Sequence, residues 1–127
     1  GDPMKAKHLD KALTQFAEEG AAKLFKPQVG AGWIVGVVGA LQFDVLASRI
    51  ELEYGLPVRF EPTQYSGARW VYGPEETVEA FAKANRGQMA TDHDGDPVYM
   101  TRLQWDIDRV ARDWPQIALS ATKETLV

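Results

Sequence analysis

The spacing of apolar residues predicts a helix at the start of the chain. Leu9, Leu13 and Phe16 are separated by four and three positions, which places them on one helical face. Asp2-Pro3 is a favourable helix start, because Asp accepts hydrogen bonds from free amides and Pro suits the first helical position. Gly20 can adopt the left-handed conformation that ends a helix. We therefore predict a helix that ends at about Gly20.

The rest of the first half predicts a hairpin, a second helix and a strand. Two short β-prone runs, residues 22–26 and 33–38, are joined by turn-forming residues and read as a hairpin. Residues 40–54 show helical periodicity and end before a glycine, and residues 57–63 have the composition of an extended strand. The predicted order is αββαβ. The apolar face of the second helix is predicted to comprise Leu41, Val45, Ala47, Ile50 and Tyr54.

The second half predicts another alternation of strands and helices. A strand over 69–72, a helix over 74–85, a hairpin over 88–101, a helix over 103–113 and a strand over 116–122 give the order βαββαβ. Hairpins that alternate with helices favour an α/β (α+β) fold: a ferredoxin-like two-layer sandwich with a mostly antiparallel sheet and helices packed on it.

One short pattern occurs in both halves. Leu41-Gln42-Phe43-Asp44-Val45 and Leu103-Gln104-Trp105-Asp106-Ile107 each open a predicted helix after a hairpin. Shared helix-start chemistry and an internal duplication both account for the match, and the sequence does not decide between them.

Composition excludes several functional classes. The chain has 127 residues, 45% of them hydrophobic, and no cysteine, which excludes thiol catalysis, iron-sulfur clusters and cysteine-ligated zinc. The longest apolar run, residues 33–38, is too short for a membrane-spanning helix, so we expect a soluble protein with the cytoplasm as its default location.

Charge restricts where the chain could bind RNA. Its formal net charge is -4, whereas a free-standing nucleic-acid-binding protein is usually basic. Residues 1–60 contain seven basic and seven acidic residues, and residues 61–127 contain seven and eleven. An RNA contact is therefore expected on a local patch, in the first half rather than in the acidic second half.

The glycine-rich stretch does not match a nucleotide-binding loop. Gly39 is followed by Ala40-Leu41, where a phosphate-binding loop requires Lys and then Ser or Thr. The dinucleotide pattern requires a third glycine that is missing after Gly30 and Gly32. We interpret these glycines as hairpin and strand-to-helix residues, and we expect no cofactor or metal in this chain.

Two other groups of residues have structural explanations. Asp92-His93-Asp94-Gly95-Asp96 lacks the glycine and glutamate positions of a calcium loop and reads as a solvated hairpin turn that could bind a cation weakly. The only other histidine, His8, belongs to no metal or catalytic motif.

Tyr65 and Tyr72, near turns, are the expected surface aromatics. The remaining large aromatic residues are expected mostly in the core rather than on a base-stacking surface: Trp33, Phe43, Trp70, Phe81, Trp105 and Trp114.

Several longer segments together resemble a known family. They are Asp2-Pro3-Met4-Lys5-Ala6-Lys7 leading into residues 13–21, Val35-Gly36-Val37-Val38-Gly39-Ala40-Leu41-Gln42-Phe43-Asp44-Val45, and Ala68-Arg69-Trp70-Val71. Over nearly its whole length the chain is similar to the C-terminal domain of bacterial peptide chain release factor three, a class II release factor. The strand-to-helix passage with Gly36, Gly39 and Leu41 also makes residues 1–67 resemble domain III of elongation factor G. That factor has Glu-Leu-His-Leu-Glu after the second glycine where this chain has Ala40-Leu41-Gln42-Phe43-Asp44, which favours the release factor. Residues 68–127 are the second α/β half.

The resemblance implies a function for the chain within a larger protein. The family combines a GTP-binding domain, a β-barrel and this C-terminal domain, and acts on the ribosome to release class I release factors. A catalytically silent domain is therefore expected here, with GTP and magnesium bound elsewhere in the parent protein. The expected partners are small-subunit rRNA and protein, the GTPase and β-barrel domains of the same chain, and class I release factors indirectly.

Exposed cations are the candidate ribosome contacts, and ordinary solvated surface lysines and arginines are the alternative for each of them. A domain that docks on RNA through a local patch needs exposed cations. The candidate contacts are Lys5, Lys7 and Lys11 on the first predicted helix, with Arg49, Arg59 and Arg69 as further candidates. The alternatives are a regulatory domain that senses a small molecule and an unrecognised enzyme.

Overall fold

A computed structural model describes residues 3–30 and 32–123 of the chain. Over these residues it contains four α-helices, six strands and a short 3-10 helix at Arg86–Gln88. The helices are α1 (Pro3–Glu19), α2 (Leu41–Tyr54), α3 (Glu75–Ala84) and α4 (Gln104–Asp113). The strands are β1 (Lys23–Pro27), β2 (Ile34–Gly36), β3 (Gly67–Tyr72), β4 (Met89–Asp92), β5 (Pro97–Thr101) and β6 (Ala118–Ser120).

The strands form one sheet in the order β2-β1-β4-β5-β3-β6. β1 pairs with β4, β4 with β5, β5 with β3 and β3 with β6, and all four pairings are antiparallel. The predicted α+β class with a mostly antiparallel sheet is confirmed. The order βαββαβ predicted for the second half also matches β3 to β6, the ferredoxin-like arrangement.

The chain divides into two compact units that do not coincide with a single cut in the sequence. The first unit comprises Gly1–Leu24 and Ile34–Pro62, and the second comprises Phe25–Trp33 and Thr63–Val127. The boundary therefore lies within β1, whose residues from Phe25 onward pair with β4.

In the second unit, a helical layer covers one face of the sheet. Phe81 of α3 and Tyr99 of β5 are fully buried, with ring centroids 5.3 Å apart, and Trp114 lies edge-on to Phe81 at 5.3 Å. Val110 of α4 is buried in the same cluster. Apolar residues of both helices thus pack on the strands, which gives the two-layer sandwich expected for this class.

In the first unit, the predicted apolar face of α1 is confirmed. Leu13 and Phe16 are 3% and 1% exposed, and Gly20 has the left-handed φ of 77° that ends the helix. α1 contacts α2, and the His8 and Tyr54 rings lie 5.6 Å apart. The helix start proposed at Asp2 lies outside the described residues.

The predicted core face of α2 is partly wrong. Leu41 and Val45 are 80% and 50% exposed, whereas Leu46 and Ile50 are buried. Apolar residues occur on both sides of this helix, so helical spacing alone cannot identify the side that packs against the rest of the domain. Phe43 is half-buried and packs against Phe60 at 5.1 Å, on the side of the buried residues.

The strand predicted over residues 57–63 does not form. This segment has neither helical nor strand structure. Pro57 and Pro62 bracket it, and proline cannot donate a ladder hydrogen bond. The first half therefore has the order αββα rather than αββαβ.

The expectation that Trp105 belongs to the core is also wrong. Its side chain is 58% exposed near the start of α4, whereas Trp70, Phe81 and Trp114 pack inward as expected. The residue that α4 buries in its first turn is Asp106, which is 2% exposed. Asp106 Oδ2 accepts hydrogen bonds from the amides of Arg102 and Leu103, so the buried carboxylate caps the helix start.

Candidate functional site

The three lysines proposed as ribosome contacts are exposed on α1. Lys5, Lys7 and Lys11 have no ion-pair partner among the residues that the structure describes. Lys7 and Lys11 are four positions apart and share a helical face, whereas Lys5 is offset from them by about half a turn. α1 therefore places two cations side by side on its outer surface, neither of them ion-paired within the described part of the chain.

Arg49 takes part in packing within the first unit. Its Nη1 lies 2.9 Å from Glu19 Oε2, its Nε lies 3.6 Å from Glu53 Oε1, and its guanidinium covers the Phe16 ring at 4.6 Å. The Arg49 hydrogen bond is the main reason that the pKa of Glu19 is lowered, and Glu19 in turn raises the pKa of Arg49. This arginine connects α1 to α2, and two carboxylates compensate its charge.

The other two candidate arginines differ in exposure. Arg59 is 84% exposed in its side chain and forms a 2.9 Å ion pair with Glu61. Arg69 is half-buried on β3, and its Nη1 donates to the carbonyl of Ala68 at 2.9 Å. Of the six proposed cations, Lys7 and Lys11 therefore lie side by side on α1. The three arginines each form an ion pair or a hydrogen bond with another group of the chain.

The β4–β5 turn has an organised acidic cluster. The carboxylates of Asp92, Asp94 and Asp96 lie within 4.8 Å of one another, a spacing that could hold a metal ion. The ammonium group of Lys123 lies 2.9, 2.6 and 2.7 Å from one oxygen of each. A side chain of the same unit thus supplies the positive charge that this cluster requires.

Asp92 is the anchor of this turn. It is 6% exposed, and its Oδ1 accepts hydrogen bonds from the amides of Asp94 and Asp96 at 2.9 Å. The Trp70 indole donates to its Oδ2 at 3.0 Å. Burial alone would raise the pKa of Asp92, but the Trp70, amide and Lys123 donors outweigh it and lower the pKa to about 2. The prediction of a solvated turn therefore holds for its tip but not for Asp92.

An exposed apolar surface occurs on the side of α2 away from Leu46 and Ile50. Leu41, Val45, Ser48 and Leu52 recur at intervals of four, three and four residues, so they share a helical face. All four are exposed, and Val38 just before the helix is fully exposed. We call these five residues the α2 stripe. Sequence reasoning detected its apolar periodicity but assigned two of its members to the core.

A second exposed group occurs at the start of α4. Leu103 is 67% exposed, and the Arg109 guanidinium lies 5.3 Å from the Trp105 ring centroid. Arg109 Nη2 also donates to the Tyr99 hydroxyl at 3.3 Å, which raises the pKa of Arg109. This aromatic and cationic pair is fixed in place by a buried residue of β5.

Comparison with known families identifies the chain. A model of the family described as class II release factor RF3, C-terminal domain, matches residues 1–111. The chain belongs to this family. The resemblance inferred from the sequence is confirmed, and the family description supports a domain of a translation-termination release factor.

The residues that carry the likeness to the RF3 C-terminal domain family have defined structural positions. Ala68-Arg69-Trp70-Val71 lies in β3, where Trp70 and Val71 are buried and Trp70 bonds to Asp92. The segment around Gly39 leads into α2 and the α2 stripe. The β3 motif therefore stabilises the second unit. The segment around Gly39, which leads into α2, instead places side chains on the surface.

The family description names the C-terminal part of the factor rather than its GTPase domain. Within the described residues, no helix is long and apolar enough to span a membrane. Two surface groups stand out among the described residues: the α1 lysines and the α2 stripe.

Proposed function

We propose that this chain is the non-catalytic C-terminal domain of a cytoplasmic translation-termination GTPase and that it docks on the small ribosomal subunit. In this proposal all 127 residues belong to the domain, with residues 1–67 as the half similar to domain III of elongation factor G. GTP and magnesium bind to an upstream domain of the parent factor. The chain helps to arrange the factor when GTP binds, and the factor then promotes release of class I release factors.

The observation that carries the docking proposal is the pair Lys7 and Lys11. Both are exposed on one face of α1, and neither forms an ion pair within the described residues. Cations that are already neutralised, such as Arg49, have little charge to offer an RNA phosphate. Lysines that neutralise phosphates release counterions, so their contribution to affinity depends strongly on salt. Family membership supplies the ribosome as the target.

A charge reversal of the two lysines tests this proposal. We expect Lys7→Glu/Lys11→Glu to weaken binding of the chain to purified small subunits in a pelleting assay by about tenfold or more. The slope of log affinity against log salt should fall by about two, one for each lost phosphate contact. In the parent factor, the same change should reduce ribosome-stimulated GTP turnover.

A matched control comes from the second unit. Lys83→Glu/Arg86→Glu changes the net charge by the same amount at two other exposed positions. If both double variants lose affinity equally, the effect is one of net charge and the α1 contact is refuted. Unchanged binding of Lys7→Glu/Lys11→Glu would also refute it. Adding Lys5→Glu tests whether the offset lysine contributes.

A further inference from the structure

A tryptophan and two arginines form a row on α4. Trp105, Arg109 and Arg112 are separated by four and three positions, so they share one face of the helix. The Trp105 side chain is 58% exposed, and Arg112 is exposed as well. We call these three residues the α4 row. Three of the seven basic residues in 61–127 lie between positions 102 and 112, so cations are concentrated here within the acidic half of the chain.

The pair formed by Trp105 and Arg109 is held in place. The Arg109 guanidinium lies over the indole, 5.3 Å from the ring centroid. Arg109 Nη2 also donates to the hydroxyl of Tyr99, whose side chain is fully buried. The cation covers one face of the indole, and the high exposure of the ring leaves its other face open to a further flat group. α4 therefore presents an aromatic surface with a fixed cation beside it.

The nearby carboxylates leave part of the positive charge of the α4 row available. Among the residues that the structure describes, no carboxylate forms an ion pair with Arg109. Arg112 pairs with Asp113 at 3.1 Å, but both side chains are largely exposed, and such pairs contribute little. Asp106 is buried at the helix start, and Asp108 accepts a hydrogen bond from a neighbouring glutamine. Arg109 and Arg112 can therefore both meet an external anion.

The surroundings of the α4 row distinguish between classes of partner. A stable protein interface requires roughly 800 Å² per partner and an apolar centre. Apart from Leu103, the exposed side chains within one turn of Trp105 are polar or charged. A nucleotide needs a much smaller surface, because its base stacks on one aromatic ring and its phosphate binds a cation. The α4 row supplies both groups.

We infer that the α4 row is a binding site for single-stranded RNA. Trp105 stacks on one unpaired base through the indole face opposite Arg109, and Arg109 and Arg112 meet the adjoining phosphates. Bases within a duplex are already stacked on one another, so the ring selects an unpaired strand. The site uses none of the α1 lysines, and it stands independently of the proposed ribosome docking.

RNA binding by Trp105 variants tests this site. The probe is a fluorescein-labelled polyuridine strand of about 12 nucleotides, measured by fluorescence anisotropy at low salt. We expect Trp105→Leu to weaken binding by about tenfold, the effect of losing one base stacked on an aromatic ring, and Trp105→Phe to restore most of the affinity. The melting temperature of both variants should equal that of the wild type, because the side chain lies outside the core.

A second tryptophan provides the matched control. Trp33 lies beside Lys26 at 5.7 Å, so Trp33→Leu removes the aromatic ring from another tryptophan and cation pair of the same unit. This variant should bind the polyuridine strand like the wild type. Unchanged binding by Trp105→Leu, an equal loss in Trp33→Leu, or a failure of Trp105→Phe to restore affinity would each overturn the inference.

Two further measurements identify the ligand class. Stacking of a base on an indole quenches its emission, so polyuridine should quench the tryptophan fluorescence of the wild type more than that of Trp105→Phe. The affinity for an RNA duplex should be the same in Trp105→Leu and the wild type, since a duplex offers the ring no unpaired base. Equal quenching in the two proteins, or an equal tenfold loss on the duplex, would overturn stacking. Tighter binding of poly-glutamate than of polyuridine, lost in Trp105→Leu, would overturn RNA in favour of an acidic protein.

Discussion

Replacement of Asp92 by Asn should remove a stabilising term that depends on pH. Asp92 Oδ1 accepts two backbone amides of the β4–β5 turn, and its Oδ2 faces the Trp70 indole and the Lys123 ammonium. An amide at this position has only one acceptor oxygen, so its NH₂ group must face a donor. At neutral pH we expect Asp92→Asn to lower the free energy of unfolding by about 2 to 3 kcal/mol, the range for lost hydrogen bonds to a buried charge.

The size of the pH effect follows from the two pKa values. The carboxyl has a pKa of about 2 in the folded chain and an ordinary value of 3.8 when unfolded. Because the folded pKa is the lower one, ionised Asp92 stabilises the fold above pH 3.8, and this contribution is lost as the pH falls through 2. At neutral pH, ionised Asp92 contributes about 2 kcal/mol to the free energy of unfolding. Less than about 0.5 kcal/mol of this contribution is lost at pH 4, and about 1 kcal/mol is lost at pH 3.

Urea unfolding between pH 7 and pH 3 measures this term. The difference in unfolding free energy between wild type and Asp92→Asn should be largest at pH 7 and should shrink by about 1 kcal/mol at pH 3. Asp108→Asn is the matched control, because it removes one exposed carboxylate from α4 and makes the same charge change. A difference that stays constant with pH, or one that shrinks equally in the control, would refute the role assigned to the Asp92 donors.

Three further predictions concern stability. Lys123→Met should lower the unfolding free energy by about 1 to 2 kcal/mol in urea titrations at pH 7, because buried Asp92 loses a cationic partner; a change below about 0.5 kcal/mol would contradict this. Phe81→Ala should cost about 3 to 5 kcal/mol in the same assay, since the ring is fully buried, and a smaller loss than that of Lys123→Met would be inconsistent with the described core. Asp106→Ala should cost about 1 to 2 kcal/mol and reduce amide-exchange protection at Arg102 and Leu103, just before α4; unchanged protection of these two amides would exclude the cap.

Local sequence patterns were sufficient to predict the helices that end at a glycine and the strands that flank a run of turn-forming residues. Gly20 and Gly55 end α1 and α2 with φ values of 77° and 63°, and such glycines can be recognised without knowledge of the fold. The hairpin around Asp92 was also predictable, because turn residues separate two β-prone runs. These features depend on backbone conformation within a few residues.

Features that depend on distant residues were not predictable in the same way. The side of α2 that packs inward is fixed by its contact with α1. Leu41 and Leu46 lie on opposite sides of the helix and are equally apolar, so the sequence alone does not show that Leu46 is the buried one. The buried state of Asp92 depends on Trp70 and Lys123, 22 residues before and 31 residues after it. The ion pairs of Arg49 likewise join two helices. Of the candidate site, the sequence indicated the α1 lysines but not the α2 stripe.

The division of the chain within β1 limits how the domain can be cut or recombined. Phe25, Lys26 and Pro27 lie opposite Asp92, Thr91 and Ala90, so the second unit recruits a strand from far upstream. A fragment that starts at Thr63 would leave the outer edge of β4 open to association with other chains. It would also lose the packing of Phe25 on Trp70, whose rings lie 6.0 Å apart. Chimaeras that exchange one half for a homologous half must therefore carry residues 25–33 with the second.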